Sequence, residues 1–261
     1  MRVLFIGDMV GKPGRAMVAQ ALPELRRELG PFDFVLANGE NAAAGRGLTK
    51  KVMDELFRMG IDGLTSGNHI WDKREFYEIL DQEERVVRPA NYPEGCPGRG
   101  GMILRKGEHS LAVLNLQGRV FMPVIDCPFR CVDRLLESVE DHPILVDFHA
   151  EATSEKRVLA AYLDGRISAF LGTHTHVQTA DEEVLPGGTA YISDVGMTGA
   201  FTSAIGMTLD SVMPRFLTGL PSRFEVATED VRLNAVVIDI DESTGVALDI
   251  RRVLARDGQW G

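Results

Sequence analysis

Five short apolar runs in this chain end on side chains that bind cations or move protons, and that repetition constrains the fold more than any other feature. Residues 3–6 run into Asp8, 34–37 into Glu40 and Asn41, 61–65 into Asn68 and His69, 144–148 into His149, and 169–171 into His174 and His176. Helical periodicity fills the gaps between the first three. Met17, Val18, Ala21, Leu22, Leu25 and Leu29 share one face over 15–29, before Gly30-Pro31, and 49–59 reads as a helix capped by Thr49 and closed by Gly60. A β-α-β-α-β order predicts parallel strands joined by right-handed crossovers. In such sheets the carboxyl ends of the strands open on a common crevice, where residues distant in sequence meet. Gly7, Gly39, Gly67 and Gly172 precede the ligand candidates, and their backbone freedom predicts sharp turns away from the sheet.

The later segments change pattern. Pro, Gly and Asn dominate 88–101, which reads as a loop, and 102–104 with 111–116 form a predicted hairpin around Lys106-Gly107-Glu108. Helices are predicted over 131–139 and 155–163, and a last hairpin pairs 231–240 with 246–253. The stretch 196–219 is rich in Gly and Met and reads as packing or a mobile lid. A parallel first half followed by hairpins predicts an α/β protein with two mixed β-sheets packed face to face and flanked by helices.

With 261 residues and 44% hydrophobic content, the chain can bury the core of one large α/β domain. The apolar run after Met1 is too short for a signal-peptide core, no run of about 18 apolar residues appears, and the three cysteines fit free thiols in a reducing compartment. A cytoplasmic location and no membrane partner are the expectations. The net charge of -10 argues against non-specific binding to long nucleic acid, so no extended nucleic-acid partner is expected. A small anionic ligand would need a local cation, which a bound metal supplies.

Four of the six histidines fall at the strand ends, whereas His109 and His142 read as solvated surface residues. Imidazole, carboxylate and amide oxygen together suit Mn, Fe, Zn or Co rather than Ca or a thiolate-held metal. Two ions sharing one carboxylate would lie about 3.5–4 Å apart, a spacing that lets a bridging hydroxide attack phosphorus. Other motifs carry less. Gly11-Lys12-Pro13-Gly14 has proline where a phosphate loop needs a hydroxyl, Cys127 and Cys131 are spaced by one residue too many for a redox pair, and eight β/α units for an amidohydrolase barrel are absent.

Gly7-Asp8, Asn38-Gly39-Glu40-Asn41, Gly67-Asn68-His69, His149 and Gly172-Thr173-His174-Thr175-His176 resemble the ordered motifs of the calcineurin-like metallophosphoesterases. The runs from Gly7 to Arg15, from Asn38 to Gly47 and from Asp147 to Lys156 resemble, more narrowly, the bacterial YmdB-like phosphodiesterases. The broad superfamily has Asp-x-His at the first strand and Asp at the second; here these are Asp8-Met9-Val10 and Glu40, with Asn41 as the replacement ligand. The resemblance implies a four-layer α/β/β/α sandwich over a single domain, residues 1–261, and two metal ions, iron or manganese. Asp8, Glu40, Asn41 and His176 would hold one ion and Glu40, Asn68, His149 and His174 the other, with Glu40 bridging and His69 as proton donor. The implied substrate is a small phosphodiester such as a 2′,3′-cyclic nucleotide; self-association into a homo-oligomer stays open. Arg46, Arg99 and Arg119 are candidate phosphate contacts. A phosphomonoesterase with the same ions and a scaffold protein with a structural metal site are the rival readings.

Overall fold

The computed structural model describes residues 1–139 and 142–256 and the backbone of 259–260. In chain order the first part contains β1 (Arg2–Ile6), β2 (Asp8–Met9), α1 (Gly11–Glu28), β3 (Phe34–Asn38), α2 (Lys50–Arg58), β4 (Gly63–Thr65) and α3 (Tyr77–Gln82). The middle has β5 (Gly101–Lys106), β6 (His109–Gln117), α4 (Pro128–Leu136), β7 (Ile144–His149), α5 (Thr153–Leu163) and β8 (Ala169–Thr173). The last part has β9 (Glu183–Val184), β10 (Ala190–Ile192), β11 (Met197–Ala200), α6 (Leu209–Thr218), β12 (Val231–Ile240), β13 (Ala247–Arg256) and β14 (Gln259–Trp260).

Two mixed sheets result. The first runs β14-β13-β12-β1-β3-β4, with β11 attached at β12 and β2 paired to β11; its β1, β3 and β4 are parallel and β12 is antiparallel to β1. The second runs β5-β6-β7-β8-β10-β9, parallel from β6 to β10 with an antiparallel strand at each edge.

Alternation along single strands builds the layers. Val3 and Phe5 of β1 face the second sheet, where they meet Leu111, Val113, Leu145 and Leu171, while Leu4 and Ile6 face Val18, Leu22 and Leu25 of α1. Ala112, Leu114 and Leu116 of β6 turn the other way, onto Val132 of α4 and Leu159 and Leu163 of α5. Each such Val, Leu, Ile or Phe side chain stabilises the fold by about 1.5–3 kcal/mol when fully buried, so strands apolar on both faces hold the centre. The outcome is the expected four-layer α/β/β/α sandwich.

Local differences from the sequence reading have simple causes. Helix α1 starts at Gly11 because a proline at position 13 fits the first helical turn, where its missing N–H is not needed. Helix α2 is capped as expected, Thr49 accepting from the Val52 N–H at 3.4 Å. Helix α4 begins on Pro128 rather than Cys131, and the stretch 196–219 contains β11 and α6. His109 and His142 are engaged rather than merely solvated: Nδ1 of His109 lies 2.6 Å from Glu242, and Nδ1 of His142 lies 2.9 Å from the Ser110 hydroxyl. Among the described residues, no helix is long and apolar enough to cross a membrane.

Candidate metal centre

All five strand ends singled out in the sequence converge where the two sheets meet. The first sheet delivers Asp8, Glu40, Asn41 and Asn68; the second delivers His149, His174 and His176. Around Nε2 of His149 lie Oε1 of Glu40 at 3.0 Å, Nδ1 of His174 at 3.0 Å and Oδ1 of Asn68 at 3.2 Å. One ring nitrogen can satisfy one of these three neighbours. Donor atoms set at right angles around an ion held at about 2.1 Å lie about 3.0 Å from each other, which is the spacing seen here. Glu40, His149 and His174 thus form a group able to hold a metal ion.

Beside it, Asp8 and His176 form a second cluster. Oδ1 of Asp8 lies 4.0 Å from Nε2 of His176 and 3.9 Å from Nδ1 of His149, is buried, and has no hydrogen-bond partner. The Asn41 amide donates to the Gly45 carbonyl at 3.1 Å, which leaves its Oδ1 buried and equally unpartnered. Nδ1–H of His176 donates to the Ile205 carbonyl at 2.9 Å, so Nε2 keeps a free lone pair. A buried acceptor without a donor costs about 1–3 kcal/mol. Orphaned oxygens among nitrogen lone pairs are what a cation completes, and the residues present therefore fit a metal.

Protonation follows the same logic. Burial would raise the Glu40 carboxyl, but the His149 charge and hydrogen bond, helped by His69, hold it at about 2. Burial would lower His149, yet Glu40 and Asp8 raise it to about 9. Burial and the neighbouring His149 charge push His174 down to about 3. Asp8, enclosed and only partly offset by His176 and His149, is raised above the usual carboxylate range. These shifts place a proton on His149 beside an ionised Glu40.

A supporting shell lies behind the ligands. Nδ1 of His149 bonds the Thr173 hydroxyl at 3.0 Å; that hydroxyl donates to Asp147 at 2.7 Å, and Asn38 donates to the other Asp147 oxygen at 3.1 Å. Burial raises the Asp147 carboxyl to about 7. His174 and His176 have φ of 104° and 67°, a region that non-glycine residues seldom occupy. That backbone is pinned by two carboxylates: Asp8 accepts from the His174 N–H at 3.1 Å, and Asp194 from the Thr175 N–H at 3.0 Å.

The glycines before the ligands do not serve as turn hinges, contrary to expectation, since none of Gly7, Gly39, Gly67 and Gly172 has positive φ. For Gly7, Gly67 and Gly172 the role is close approach. A Cβ on Gly67 would fall 2.2 Å from the His149 ring, one on Gly7 2.0 Å from the Gly196 carbonyl, and one on Gly172 1.8 Å from that of Ser193.

A cavity of about 350 Å³ opens over the centre, small even among ligand cavities, which span roughly 300–1,000 Å³. Its polar wall is Glu40, Asn41, His69, His174 and His176, and its apolar wall is Ile205, Met207, Val212, Phe216 and Phe224. The apolar wall, together with Glu151, whose Oε2 lies 3.2 Å from Nε2 of His174, and with Asp147 and Thr173, is what the sequence reading missed. Nδ1 of His69 lies 3.1 Å from Asp72, and its backbone N–H donates to Glu40 at 2.8 Å. Of the candidate arginines only Arg46 lines the cavity; Arg99 pairs with Glu84, and Arg119 lies beside Cys127. A groove of about 470 Å³ between Asp133, Arg166 and Val246 lies at the opposite ends of β7 and β8, where Arg166 and Asp133 neutralise each other at 2.7 Å.

Two mixed sheets between helices, with a cation-ready cluster at their joined strand ends, define a calcineurin-like phosphoesterase fold. Residues 4–253 match the family described as YmdB-like protein, and the chain belongs to that family. It is 52% identical over 259 residues to the 2′,3′-cyclic-nucleotide 2′-phosphodiesterase of Bacillus subtilis (strain 168), covering 98% of each chain. A crystal structure of a hypothetical protein from Thermus thermophilus superposes with a TM-score of 0.92 at 47% identity, over 98% of this chain and 99% of that one. A novel phosphatase from Mycoplasma pneumoniae also gives 0.92, at 31% identity and with 98% and 93% covered.

Proposed function

We propose that residues 1–261 act as one phosphodiesterase domain that holds two metal ions and hydrolyses small phosphodiesters, 2′,3′-cyclic nucleotides foremost. The observation that carries this reading is the pair of orphaned buried oxygens, on Asp8 and Asn41, beside the crowded Glu40–His149–His174 group on the floor of a cavity of about 350 Å³. The similarity to the Bacillus subtilis enzyme supports the substrate class.

Asp8, Asn41 and His176 would hold one ion and Asn68, His149 and His174 the other, with Glu40 shared; mixed imidazole and oxygen donors favour iron or manganese. When bound, such ions supply a nucleophile at neutral pH and positive charge for the phosphoryl oxygens. The chain's own contribution is placement. Thr173 fixes the tautomer of His149, Ile205 that of His176, and Gly45 the amide orientation of Asn41. His69 stands at the rim, and with Nδ1 directed to Asp72 it offers Nε2 to the leaving oxygen as proton donor.

The test is turnover of bis-p-nitrophenyl phosphate, p-nitrophenyl phosphate and 2′,3′-cyclic nucleotides by chelated and metal-reloaded protein, with metal content measured in parallel. Reloaded protein is expected to prefer the diesters. A preference for the monoester, or less than one ion per chain under metal-replete conditions, would sink the proposal. The His69→Ala variant is expected to keep its metals and its fold and to lose about 10²–10⁴-fold in kcat on cyclic nucleotides. The loss should be smaller for a p-nitrophenolate leaving group, which needs no proton.

A further inference from the structure

A second cavity of about 450 Å³ adjoins the first and shares Arg46, Met207 and Phe224 with it. Its remaining wall carries Lys73, Arg215 and Arg223, so four cations surround one space in a chain of net charge -10. The single carboxylate in that wall, Asp72, is already engaged by His69. Among the described residues none of the four cations has an ion pair to a carboxylate. Two of them are held another way: the guanidinium carbons of Arg46 and Arg215 lie 5.5 and 5.6 Å from the centroid of the Phe224 ring. Stacking on an aromatic ring fixes a guanidinium while leaving its N–H donors free. Like charges gathered without counterions repel each other, and an anion is the ligand that relieves them.

We propose that this basic cavity binds a phosphate carried 5′ on the nucleotide whose cyclic diester sits at the metal centre. The inference rests on the diesterase reading above. The shared wall makes the connection: a substrate seated over Glu40 and His174 can pass Arg46 and Phe224 and place a second phosphate among Lys73, Arg215 and Arg223. The favoured substrates are then nucleoside 2′,3′-cyclic phosphates bearing a 5′-phosphate, whether free or as the 3′ end of a short strand. Guanidinium and ammonium donors suit phosphate oxygens, and Arg offers them in pairs.

The experiment compares kcat/KM for a nucleoside 2′,3′-cyclic phosphate with and without a 5′-phosphate, and with a dinucleotide ending in the same cyclic group. Wild-type protein is expected to favour the phosphorylated compounds by about ten-fold or more, as for loss of one charged hydrogen bond. The preference should weaken with salt, because the added attraction is between charges that dissolved ions screen. The double variant Arg215→Glu/Arg223→Glu changes exposed side chains outside the metal cavity. It should lose the preference while turning over the unphosphorylated substrate at the wild-type rate, which also shows that it is folded. Equal losses on both substrates, or no wild-type preference, would overturn the proposal. Inorganic pyrophosphate altering turnover of the unphosphorylated substrate, with no advantage for the linked phosphate, would mark a separate effector site and overturn it too. The dinucleotide and the 5′-monophosphate arms separate strand ends from free nucleotides. Calorimetric titration with nucleoside 3′,5′-bisphosphate against the 3′-monophosphate reads the subsite without turnover. Failure of all diesters to react would then count against the diesterase reading alone.

Discussion

Lys156 and Asp194 lie as deep in the protein as Glu40 and His149, and the two pairs are separated by little more than the His174–His176 turn. Nζ of Lys156 sits 2.7 Å from Asp194, whose oxygens also accept from the Thr175 N–H at 3.0 Å and the Gly196 N–H at 2.8 Å. Both carboxylate oxygens are used. At the neighbouring cluster Asp8 and Asn41 each leave a buried oxygen without a donor, while three groups compete for one His149 nitrogen. Burial and charge are alike in the two places; what differs is whether the geometry closes on itself. A closed pair fixes the backbone that presents the histidines, and an open cluster is ready for something from solution.

Substitutions at each cluster should therefore fail in different ways. The largest effect is expected at Glu40→Gln, which removes the carboxylate proposed to be shared: a fall of at least about 10³-fold in phosphodiesterase kcat, with a smaller loss of stability in chelated protein, because His149 can shed its proton when its counter-charge goes. Lys156→Met should do the reverse, costing about 3–5 kcal/mol in urea titration by stranding the Asp194 carboxylate, and metal binding should weaken only as a result of lost fold. A loss of stability at Glu40→Gln as large as at Lys156→Met would erase the distinction.

Asp8→Asn sharpens the contrast further. The carboxyl of Asp8 is raised by burial, so its ionised form opposes folding above the usual carboxylate range. The amide is expected to raise the melting temperature of chelated protein and to shrink, without abolishing, the rise that added metal gives the wild type, both measured by thermal scanning. Acidity supplies a milder probe. The folded pKa of His149, about 9, lies above the ordinary 6.5, so its proton stabilises the ion-free protein fully below pH 6.5, a contribution lost as pH rises through 9. An ion must displace that proton, so metal affinity should climb about ten-fold per pH unit from neutrality to about 9, in competition assays with a buffered chelator. The smallest effects belong to Arg99→Ala and Arg119→Ala, which lie off the cavity and should change kcat/KM less than about two-fold and stability within about 0.5 kcal/mol.

The open cluster was largely legible before any coordinates. Parallel strands force their carboxyl ends together, so a ligand-type residue after each apolar run names a member of the site without knowledge of distances. Asp8, Glu40, Asn41, Asn68, His149, His174 and His176 meet for that reason. The closed pair was not legible, because Lys156 lies on a helix among exposed charges of the same kind and Asp194 on a loop; only packing shows that both are buried. Position before a ligand marked Gly7, Gly67 and Gly172 correctly, but the reason is an absent side-chain volume that depends on Gly196, His149 and Ser193 from other elements. Arg46, Arg99 and Arg119 look alike as sequence, and loop packing alone separates the first from the others. The apolar wall of the cavity comes from α6 and the segments flanking it, whose Gly- and Met-rich start hides its order.

The two sheets contribute different side chains to one cluster: Asp8, Glu40, Asn41 and Asn68 from one side of the seam, His149, His174 and His176 from the other. An ion seated there would act as a rivet through two plates. Unfolding one sheet while the other stays intact would require pulling that rivet, so metal-loaded protein should open as a unit, whereas chelated protein can peel along the seam. Amide exchange at Thr65, Ser66 and Thr173 would report the difference, and the same fastening would let scarcity of metal in the cell be read as looseness of the whole sandwich.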